Sequence, residues 1–210
     1  MVINKELLSS NAASLGVDLS EDMLDKFDLL ASLLIEQNKT MNLTAITQPN
    51  EVVVKHFADS LSLLSAVEVP QGAKVLDLGT GAGFPGLPLL IARPDIRLTM
   101  VDSTAKKLAY VASTLDKLSL SAETLHARAE DAGKDPAYRE QYDIVCSRAV
   151  AALNVLCEYC LPFVKVGGTF VAMKSAKAQE ELQLAEKAIS TLGGKTVGQK
   201  SFTLSDGGER

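Results

Sequence analysis

Apolar residues recur every three or four positions through the first 70 residues of the chain. In Ser20–Gln37 this spacing predicts an amphipathic helix, and Ser20 is a suitable N-cap for it. A further helix is predicted to begin at Pro49 and to continue through Leu64, because proline is favoured in the first turn of a helix. Residues 1–70 are therefore expected to form an N-terminal helical extension that packs on the rest of the chain.

From residue 71 onwards, short apolar runs alternate with segments of helical spacing. The predicted strands are Lys74–Leu78, Arg97–Asp102, Ala122–Ala127, Tyr142–Ser147 and Thr169–Lys174. The predicted helices are Leu87–Ala92, Ala105–Leu118, Ala151–Phe163 and Lys177–Leu192. This alternation favours an α/β fold over residues 71–210, with a mostly parallel sheet covered by helices on both faces. Lys195–Leu204 supplies only one arm of the hairpin that often closes such a sheet, so we expect the last strand to be missing.

Composition narrows the class of protein. The chain has 210 residues, of which 47% are hydrophobic and 22% are charged, as in ordinary globular domains. No apolar run is long enough to span a bilayer, and Met1–Glu6 lacks the pattern of a signal peptide. We therefore expect a cytoplasmic protein with no membrane partner. The net charge of −5 argues against a general nucleic-acid binder, although it permits a locally basic site.

The number and spacing of the cysteines indicate a structural role for them. Cys157 and Cys160 form a CxxC pair within a predicted helix, but a zinc site would need a second pair of ligands. The only histidines are His56 and His126. We therefore expect buried or half-buried thiols that pack as small hydrophobic groups, and no metal site.

Residues 75–86 form the most informative motif, in which an apolar strand leads through an acidic residue into a glycine-rich turn and a helix. Such turns let the backbone approach a nucleotide-type ligand, and the helix presents free N–H groups. One interpretation is an NAD-dependent oxidoreductase, because Gly81, Gly83 and Gly86 fit G-x-G-x-x-G and Asp102 ends the next predicted strand. A lone match of this kind is weak evidence.

The other interpretation is a site for S-adenosyl-L-methionine (AdoMet), and the spacing Asp77-x-Gly79-x-Gly81-x-Gly83 favours it. The carboxylate of Asp77 suits the ammonium of the methionine portion, and Asp102 can accept hydrogen bonds from both ribose hydroxyls. About 70 residues precede the first strand, whereas a dinucleotide-binding fold normally begins with it. Phe84 either packs on the cofactor or belongs to the core.

Polar residues follow the later predicted strands. The carboxyl ends of parallel strands meet at one edge of the sheet, where open α/β folds bind ligands. The residues are Asp102, Lys106, Lys107, Arg128, Glu130, Ser147, Arg148, Lys174 and Ser175. The basic members favour a phosphate-bearing substrate, and Ala129 with Glu130 suits the adenine end of the cofactor. His56 and Asp59 share a helix face, either as a catalytic pair or as a buried His–Asp hydrogen bond that anchors the helix to a loop.

Several segments resemble one known family. They are residues 42–46 (Asn-Leu-Thr-Ala-Ile), 56–61 (His-Phe-Ala-Asp-Ser-Leu), 77–88 around the glycine turn, 102–106 (Asp-Ser with Lys106), 128–130 (Arg-Ala-Glu) and 147–149 (Ser-Arg-Ala). Together they are similar to the RsmG (GidB) small-subunit rRNA guanine-N7 methyltransferases. The similarity covers nearly the whole chain, although it departs from the family where the chain stops before a final strand.

The resemblance implies a class I AdoMet-dependent methyltransferase with a Rossmann-like, seven-stranded type of sheet, acting on a guanine in the 530 loop of 16S rRNA. The implied cofactor contacts are Gly79, Phe84, Asp102, Ala129, Glu130 and Arg148, and the loop spacing adds Asp77, Gly81 and Gly83. The implied rRNA contacts are Asn42, His56, Lys106, Arg128, Arg148, Lys174 and Arg210. We expect a monomer that meets the RNA within the 30S subunit or its precursor.

The chemistry of this reaction is consistent with the residues. Guanine N7 carries an in-plane lone pair and no proton at neutral pH, so its methylation needs no general base. Catalysis would rest on holding N7 in line with the methyl group, and an Arg or Lys donor to O6 would identify guanine. Arg148 is the residue that we expect to position the base. A non-catalytic RNA-binding or ribosome-binding module of the same fold is the alternative outside the enzymes.

Overall fold

The computed structural model describes residues 2–148, 150–174 and 178–209. Its N-terminal part is helical, beginning with α1 (Lys5–Ser14) and α2 (Glu21–Met41). The predicted N-cap is confirmed, because the Ser20 hydroxyl accepts a hydrogen bond from the Met23 N–H. Helix α2 runs four residues beyond the predicted end at Gln37 and stops at Asn42, whose φ of 48° lies in the left-handed region.

The helix predicted from Pro49 is present but is not uniform. It consists of α3 (Pro49–Val52), a π-helical segment (Val53–Ala58) and α4 (Asp59–Ala66). In the π-helical segment the N–H of Asp59 bonds to the carbonyl of Val54, five residues back. Such wide turns often occur at functional sites, and this one supplies two residues of the site described below.

Five parallel strands form the sheet. They are β1 (Lys74–Leu78), β2 (Arg97–Asp102), β3 (Glu123–His126), β4 (Tyr142–Arg148) and β5 (Val164–Met173). Their order across the sheet is β3-β2-β1-β4-β5, so β1 is central. The predicted α/β fold is confirmed. Strand β5 begins earlier than predicted, because its pairing with β4 shifts register between Tyr142 and Ile144.

A helix follows each strand. They are α5 (Gly86–Ala92), α6 (Ala105–Leu118), α7 (Ala129–Ala132), α8 (Leu153–Cys160) and α9 (Ala178–Thr191). The single helix predicted over Ala151–Phe163 is wrong in detail, since α8 is followed by a 3₁₀ turn, Leu161–Phe163. Pro162 lacks a backbone N–H and cannot continue an α-helix. The predicted start of the last helix, Lys177, lies outside the described residues.

The N-terminal helices share a hydrophobic core with one face of the sheet. Buried residues of α1, α2 and the π-helical segment join those of α5, α6 and the central strands in one continuous cluster. An aromatic chain crosses this cluster, with the ring centroids of Phe27 and Phe57 5.0 Å apart and those of Phe57 and Phe84 6.2 Å apart. The glycine turn that contains Phe84 therefore rests on the N-terminal helices. A second cluster packs α7 and α8 on the opposite face.

The strand predicted over Lys195–Leu204 is wrong. Residues 195–202 have no regular structure, and only an isolated bridge joins Thr203 to Glu209. Most of this segment is exposed and Val197 retains 75% of its accessible surface, so the segment has little apolar area with which to hold a strand against the sheet. Among the described helices, none is long and apolar enough to cross a membrane.

The cysteines are structural, as predicted. Cys146, Cys157 and Cys160 are all buried free thiols. Burial raises the pKa of each thiol, which keeps it protonated and unreactive. Within the described ranges, no three His, Cys, Asp or Glu side chains come together as metal ligands.

Candidate functional site

Asp77 of β1 lies beneath the glycine turn and fixes it from below. Its Oδ2 accepts hydrogen bonds from the Thr80 hydroxyl at 2.7 Å and from the Gly86 N–H at 2.9 Å. The side chain is fully buried, and its Oδ1 has no hydrogen-bond partner among the described residues. Burial raises the pKa of this carboxyl to about 6, against the pull of the two hydrogen bonds. Asp77 therefore binds both ends of the turn through Oδ2, and its Oδ1 is an unused hydrogen-bond acceptor.

The glycines of the turn have different surroundings. Gly81 has a φ of +57°, and a Cβ there would meet only the Gly79 carbonyl, at 3.8 Å. The surface over Gly81 is therefore open to a ligand. Gly79 is covered instead, since a Cβ there would lie 2.4 Å from Cγ2 of Val150. Gly83 packs against Leu87 in the same way.

Asp102 ends β2 beside the open part of the turn. Its Oδ2 accepts the Gly81 N–H at 2.9 Å and its Oδ1 accepts the Thr104 N–H at 2.8 Å. Each carboxylate oxygen has a further lone pair, so both can still accept a hydroxyl donor. With 8% of its surface exposed, the side chain is rigidly held at the rim of the cleft. This geometry suits a ligand with two adjacent hydroxyls above Gly81.

Arg148, the last residue of β4, reaches back to the N-terminal helices. Its Nη1 donates to Asp59 Oδ2 at 2.8 Å and to the Lys55 carbonyl at 3.3 Å. Its Nη2 lies 3.2 Å from Nδ1 of His56. The guanidinium carbon is also 5.2 Å from the ring centroid of Phe84, within the range of a cation–π contact. Arg148 thus connects the π-helical segment to the glycine turn.

His56 is a buried, neutral neighbour of Arg148. Its ring stacks on Phe84 at 4.5 Å with an interplanar angle of 9°. Burial and the nearby Arg148 charge lower the pKa of His56 to about 3. Because Arg148 can only donate, Nδ1 must accept, and the ring proton must lie on Nε2. Nε2 then donates to the Thr44 hydroxyl at 2.9 Å.

This arrangement decides between the two roles expected for His56 and Asp59. Arg148 contacts both side chains, and both are buried, with 7% and 4% of their surfaces exposed. The anchoring role is therefore the one that the structure favours. His56 was also an expected rRNA contact. Its low exposure means that it would reach RNA only after the stack on Phe84 opens.

The other predicted residues occupy the same edge of the sheet. Arg128 is the N-cap of α7, and Ala129 and Glu130 form its first turn. Arg128 and Glu130 are exposed, and Ala129 is half-buried. Lys106, in the first turn of α6, is also exposed. These positions remain predicted ligand contacts.

Three predicted RNA contacts differ from this group. Lys174 already forms an ion pair with Glu181, with its Nζ 2.7 Å from that carboxylate, and it donates a hydrogen bond to the Ala151 carbonyl. Asn42 is exposed at the end of α2. Arg210 lies outside the described residues. Lys174 would therefore contact RNA only if its ion pair opened.

Thr44 and Val150 take part in the site without having been predicted to. Thr44 lies in the irregular segment after α2, and its hydroxyl also accepts the Ile46 N–H at 3.0 Å. The motif at residues 42–46 marked this segment, but the contact with His56 spans 12 positions and no local pattern reveals it. Val150 covers Gly79 although 42% of its surface is exposed.

The residues present fit AdoMet. The open surface at Gly81 and the two oxygens of Asp102 suit a ribose, and the buried Oδ1 of Asp77 is an unused acceptor beneath the turn. These features would also accommodate a dinucleotide such as NAD. The comparison with known proteins distinguishes between the two cofactors.

The fold is similar to that of several solved structures. The structure resembles a SAM-dependent methyltransferase from Aquifex aeolicus with a TM-score of 0.56 and 19% identity, over 77% of this chain and 90% of that one. It also resembles a SAM-dependent O-methyltransferase from Thermotoga maritima with a TM-score of 0.54 and 16% identity, over 83% and 64% of the two chains. The chain has the Rossmann-like fold of class I methyltransferases, as predicted.

Sequence comparison then gives the family. The family model described as "rRNA small subunit methyltransferase G" (GidB) matches residues 23–206. The Ribosomal RNA small subunit methyltransferase G of Pelotomaculum thermopropionicum is 49% identical over 196 residues, 93% of this chain and 82% of that protein. The corresponding protein of Desulfitobacterium hafniense is 48% identical over 191 residues, 90% and 79% of the two chains. The chain belongs to the rRNA small subunit methyltransferase G family.

Family membership confirms the predicted resemblance and favours a methyltransferase over the oxidoreductase interpretation of the glycine turn. Together with the fold, it supports AdoMet as the cofactor.

Proposed function

We propose that this chain transfers the methyl group of AdoMet to N7 of a guanine in the 530 loop of 16S rRNA. The family supports methylation of small-subunit rRNA. The atom and the loop come from the resemblance of the site motifs. We treat residues 1–70 as a helical extension of the methyltransferase core, and since the substrate would be ribosomal, the proposal implies a cytoplasmic protein.

The cofactor would lie over the glycine turn. Asp102 would hold the ribose hydroxyls above the open surface at Gly81, and the methionine portion would lie along the turn towards Gly79, which Val150 would have to uncover. Asp77 supports the turn, and its buried Oδ1, which has no partner among the described residues, would be the acceptor for the ammonium. Ala129 and Glu130, at the start of α7, would meet the adenine. When bound, AdoMet supplies an electrophilic methyl group carried on a sulfonium.

Arg148 is the residue that we propose to bind the substrate guanine. Its guanidinium is fixed by Asp59, His56 and the Lys55 carbonyl, and these contacts use three of its five N–H donors. A remaining donor can bind guanine O6, which identifies the base and leaves N7 free. The rigid support means that little order has to be created when the base arrives.

The site also agrees with a reaction that needs no base. The histidine nearest Arg148, His56, is neutral and already uses both ring nitrogens. N7 has no proton to remove, so orientation of the lone pair is the main task of the side chains. Exposed Lys106 and Arg128 would neutralise phosphates around the extruded base.

The test is transfer of tritiated methyl groups from AdoMet to 30S subunits and to protein-free 16S rRNA, with mass spectrometry of the modified nucleoside. We expect 7-methylguanosine, and faster transfer to 30S subunits because the chain carries a net charge of −5. Arg148→Ala should abolish most transfer. Arg97→Ala, an exposed arginine at the opposite end of the strands, is the matched control.

Three other outcomes would each contradict one part of the proposed function. A different methylated atom would refute the N7 assignment while keeping the family activity. AdoMet binding without transfer to any ribosomal substrate would favour a non-catalytic RNA-binding module. Equal rates on both RNA forms would contradict the preference for assembled subunits.

A further inference from the structure

A groove lies between α2 and α6, away from the contacts of Arg148. It has a volume of about 380 Å³ and is lined on the α2 side by Gln37 and Met41 and on the α6 side by Lys106, Tyr110, Ser113 and Lys117. This volume lies within the range of small-ligand pockets. The groove combines an apolar floor with hydroxyl and cationic groups.

Tyr110 is the buried polar group of this groove. The side chain has only 7% of its surface exposed, and its hydroxyl has no hydrogen-bond partner among the described residues. Burial raises the pKa of Tyr110 to about 12, and the neighbouring Thr114 side chain, one helical turn further on, acts in the opposite direction. The phenol thus stays protonated. A buried hydroxyl without a partner is costly, and a ligand that widened the groove enough to bond to it would remove that cost.

The charges favour an anionic, elongated ligand. Lys106 and Lys117 lie at the two ends of the groove, eleven residues apart on one helix, or about 16 Å. The lining also contains Glu36, but its carboxylate pairs with Lys39. Two cationic ends on a chain with a net charge of −5 make this a local basic surface.

We propose that the groove binds an unpaired nucleotide of the RNA substrate that lies next to the methylated guanine along the strand. The base would rest on Met41 and bond to the Tyr110 hydroxyl, and the flanking phosphates would meet Lys106 and Lys117. Helix α6 begins three residues after Asp102, so the Lys106 end of the groove opens beside the cofactor cleft. Exposed Asn42 directly follows Met41 at the other wall. The identity of the RNA rests on the proposed function.

The first test fills the groove. Ser113 is exposed on α6, and Ser113→Trp would occupy the groove without changing a charge. We expect the KM for 30S subunits to rise about tenfold, with kcat and AdoMet affinity unchanged. Ser190→Trp, at an exposed serine of α9, is the matched control and should leave all three constants unchanged. An unchanged KM in Ser113→Trp would overturn the inference.

The second test separates binding from folding. Tyr110→Phe removes a hydroxyl that has no partner, so the variant should be at least as stable as the natural chain. We nevertheless expect its KM for 30S subunits to rise about fivefold, the loss of roughly one hydrogen bond. A role in folding alone would move the stability and leave KM unchanged, and that result would overturn the inference.

The third test does not depend on methylation. The chain has four tyrosines, so 3-fluorotyrosine labelling gives four ¹⁹F signals, which Tyr→Phe variants assign. A short single-stranded RNA should shift the Tyr110 signal, and Ser113→Trp should abolish the shift. If no rRNA is methylated but this shift occurs, the proposed function fails and the groove stands. Absence of the shift, or an equal shift with adenosine monophosphate alone, would overturn the assignment to RNA.

Discussion

Nη2 of Arg148 lies 3.2 Å from Nδ1 of His56, and this contact fixes the state of the imidazole. An arginine has no acceptor, so Nδ1 must be unprotonated and the ring must be the neutral Nε2–H form. The basic residue at the end of β4 is therefore oriented by a histidine that carries no charge.

Nitrogen NMR should detect this form of His56 directly. The chain has two histidines, so its imidazole signals are few and can be assigned with a His126→Gln variant. Because the pKa of His56 is lowered to about 3, we expect an unprotonated Nδ1 and a protonated Nε2 from pH 5 to pH 8. A charged ring at pH 6 would contradict the contact with Arg148.

Thr44→Val tests the other side of the same ring. Loss of the hydroxyl removes the acceptor of Nε2–H, which lies 2.9 Å away, and the Ile46 N–H loses its partner as well. We expect slower methyl transfer with AdoMet affinity nearly unchanged, because Arg148 loses part of its support. Thr44→Ser keeps the hydroxyl and should restore the rate, so a slow Thr44→Ser variant would argue against this role.

Arg148→Ala should lower turnover more than AdoMet affinity, and it should also lower stability. Removing the guanidinium takes one partner from a carboxylate that is only 4% exposed, which costs about 3 kcal/mol. Adding Asp59→Asn to Arg148→Ala should return part of that stability, measured by urea unfolding, because the buried charge is gone.

Methyl transfer should stay slow in the double variant. Single-turnover rates at saturating AdoMet would show this, and a recovery of rate together with stability would mean that Arg148 acts only on folding. A loss of AdoMet affinity, by calorimetry, as large as the loss of turnover would contradict its role towards the substrate.

The unfolding free energy of the Asp77→Asn variant, relative to that of the natural chain, should increase as the pH rises. The pKa of Asp77 is about 6 in the folded chain and near 3.8 when unfolded, so between these values the folded state binds more protons. The unfolding free energy of the natural chain therefore falls as the pH rises through this window, whereas that of Asp77→Asn lacks this term. We expect the stability of the variant relative to the natural chain to rise by about 2 kcal/mol from pH 4 to pH 7.

Denaturant unfolding without cofactor, at matched pH values, would measure this difference. The titration of His56 occurs in both chains and cancels. A difference that stays constant with pH would mean that Asp77 titrates alike in the folded and unfolded chains.

Asp102→Asn should weaken AdoMet binding. An amide oxygen can accept from Gly81 or from Thr104 but offers fewer acceptor positions to ribose hydroxyls. Loss of hydrogen bonds to a charged group should raise the Kd for AdoMet at least tenfold by calorimetry. Asp116→Asn, at an exposed position of α6, is the matched control, and equal Kd values for the two variants would contradict the ribose role.

The buried central strands were the most predictable part of the fold. Lys74–Leu78 and Arg97–Asp102 match the prediction at both ends, because strands covered on both faces are rich in apolar residues. The start of β5 was missed, since Gly167 and Gly168 interrupt its pattern and a register shift accommodates them. Glycines have no side chain and therefore give no periodic signal.

The site was predictable where its residues follow strands and unpredictable where they meet across the chain. Asp102 and Arg148 lie at strand ends, and the rule for parallel sheets places them at one edge. The partners of Arg148 are 89 to 93 positions away, at a turn whose hydrogen bonds are not α-helical. No local periodicity encodes such contacts.

The wide turn at Val53–Ala58 gives the helix around it a fixed length. A π-helical turn holds about one residue more than an α-helical turn, so deleting one residue there would let it close into a regular α-helix with α4 kept in its orientation. The deletion would instead remove one of the residues that now surround Arg148 between Lys55 and Asp59. A change in the length of this turn would therefore disturb the contacts that align Arg148, even where the apolar packing of the helix survives.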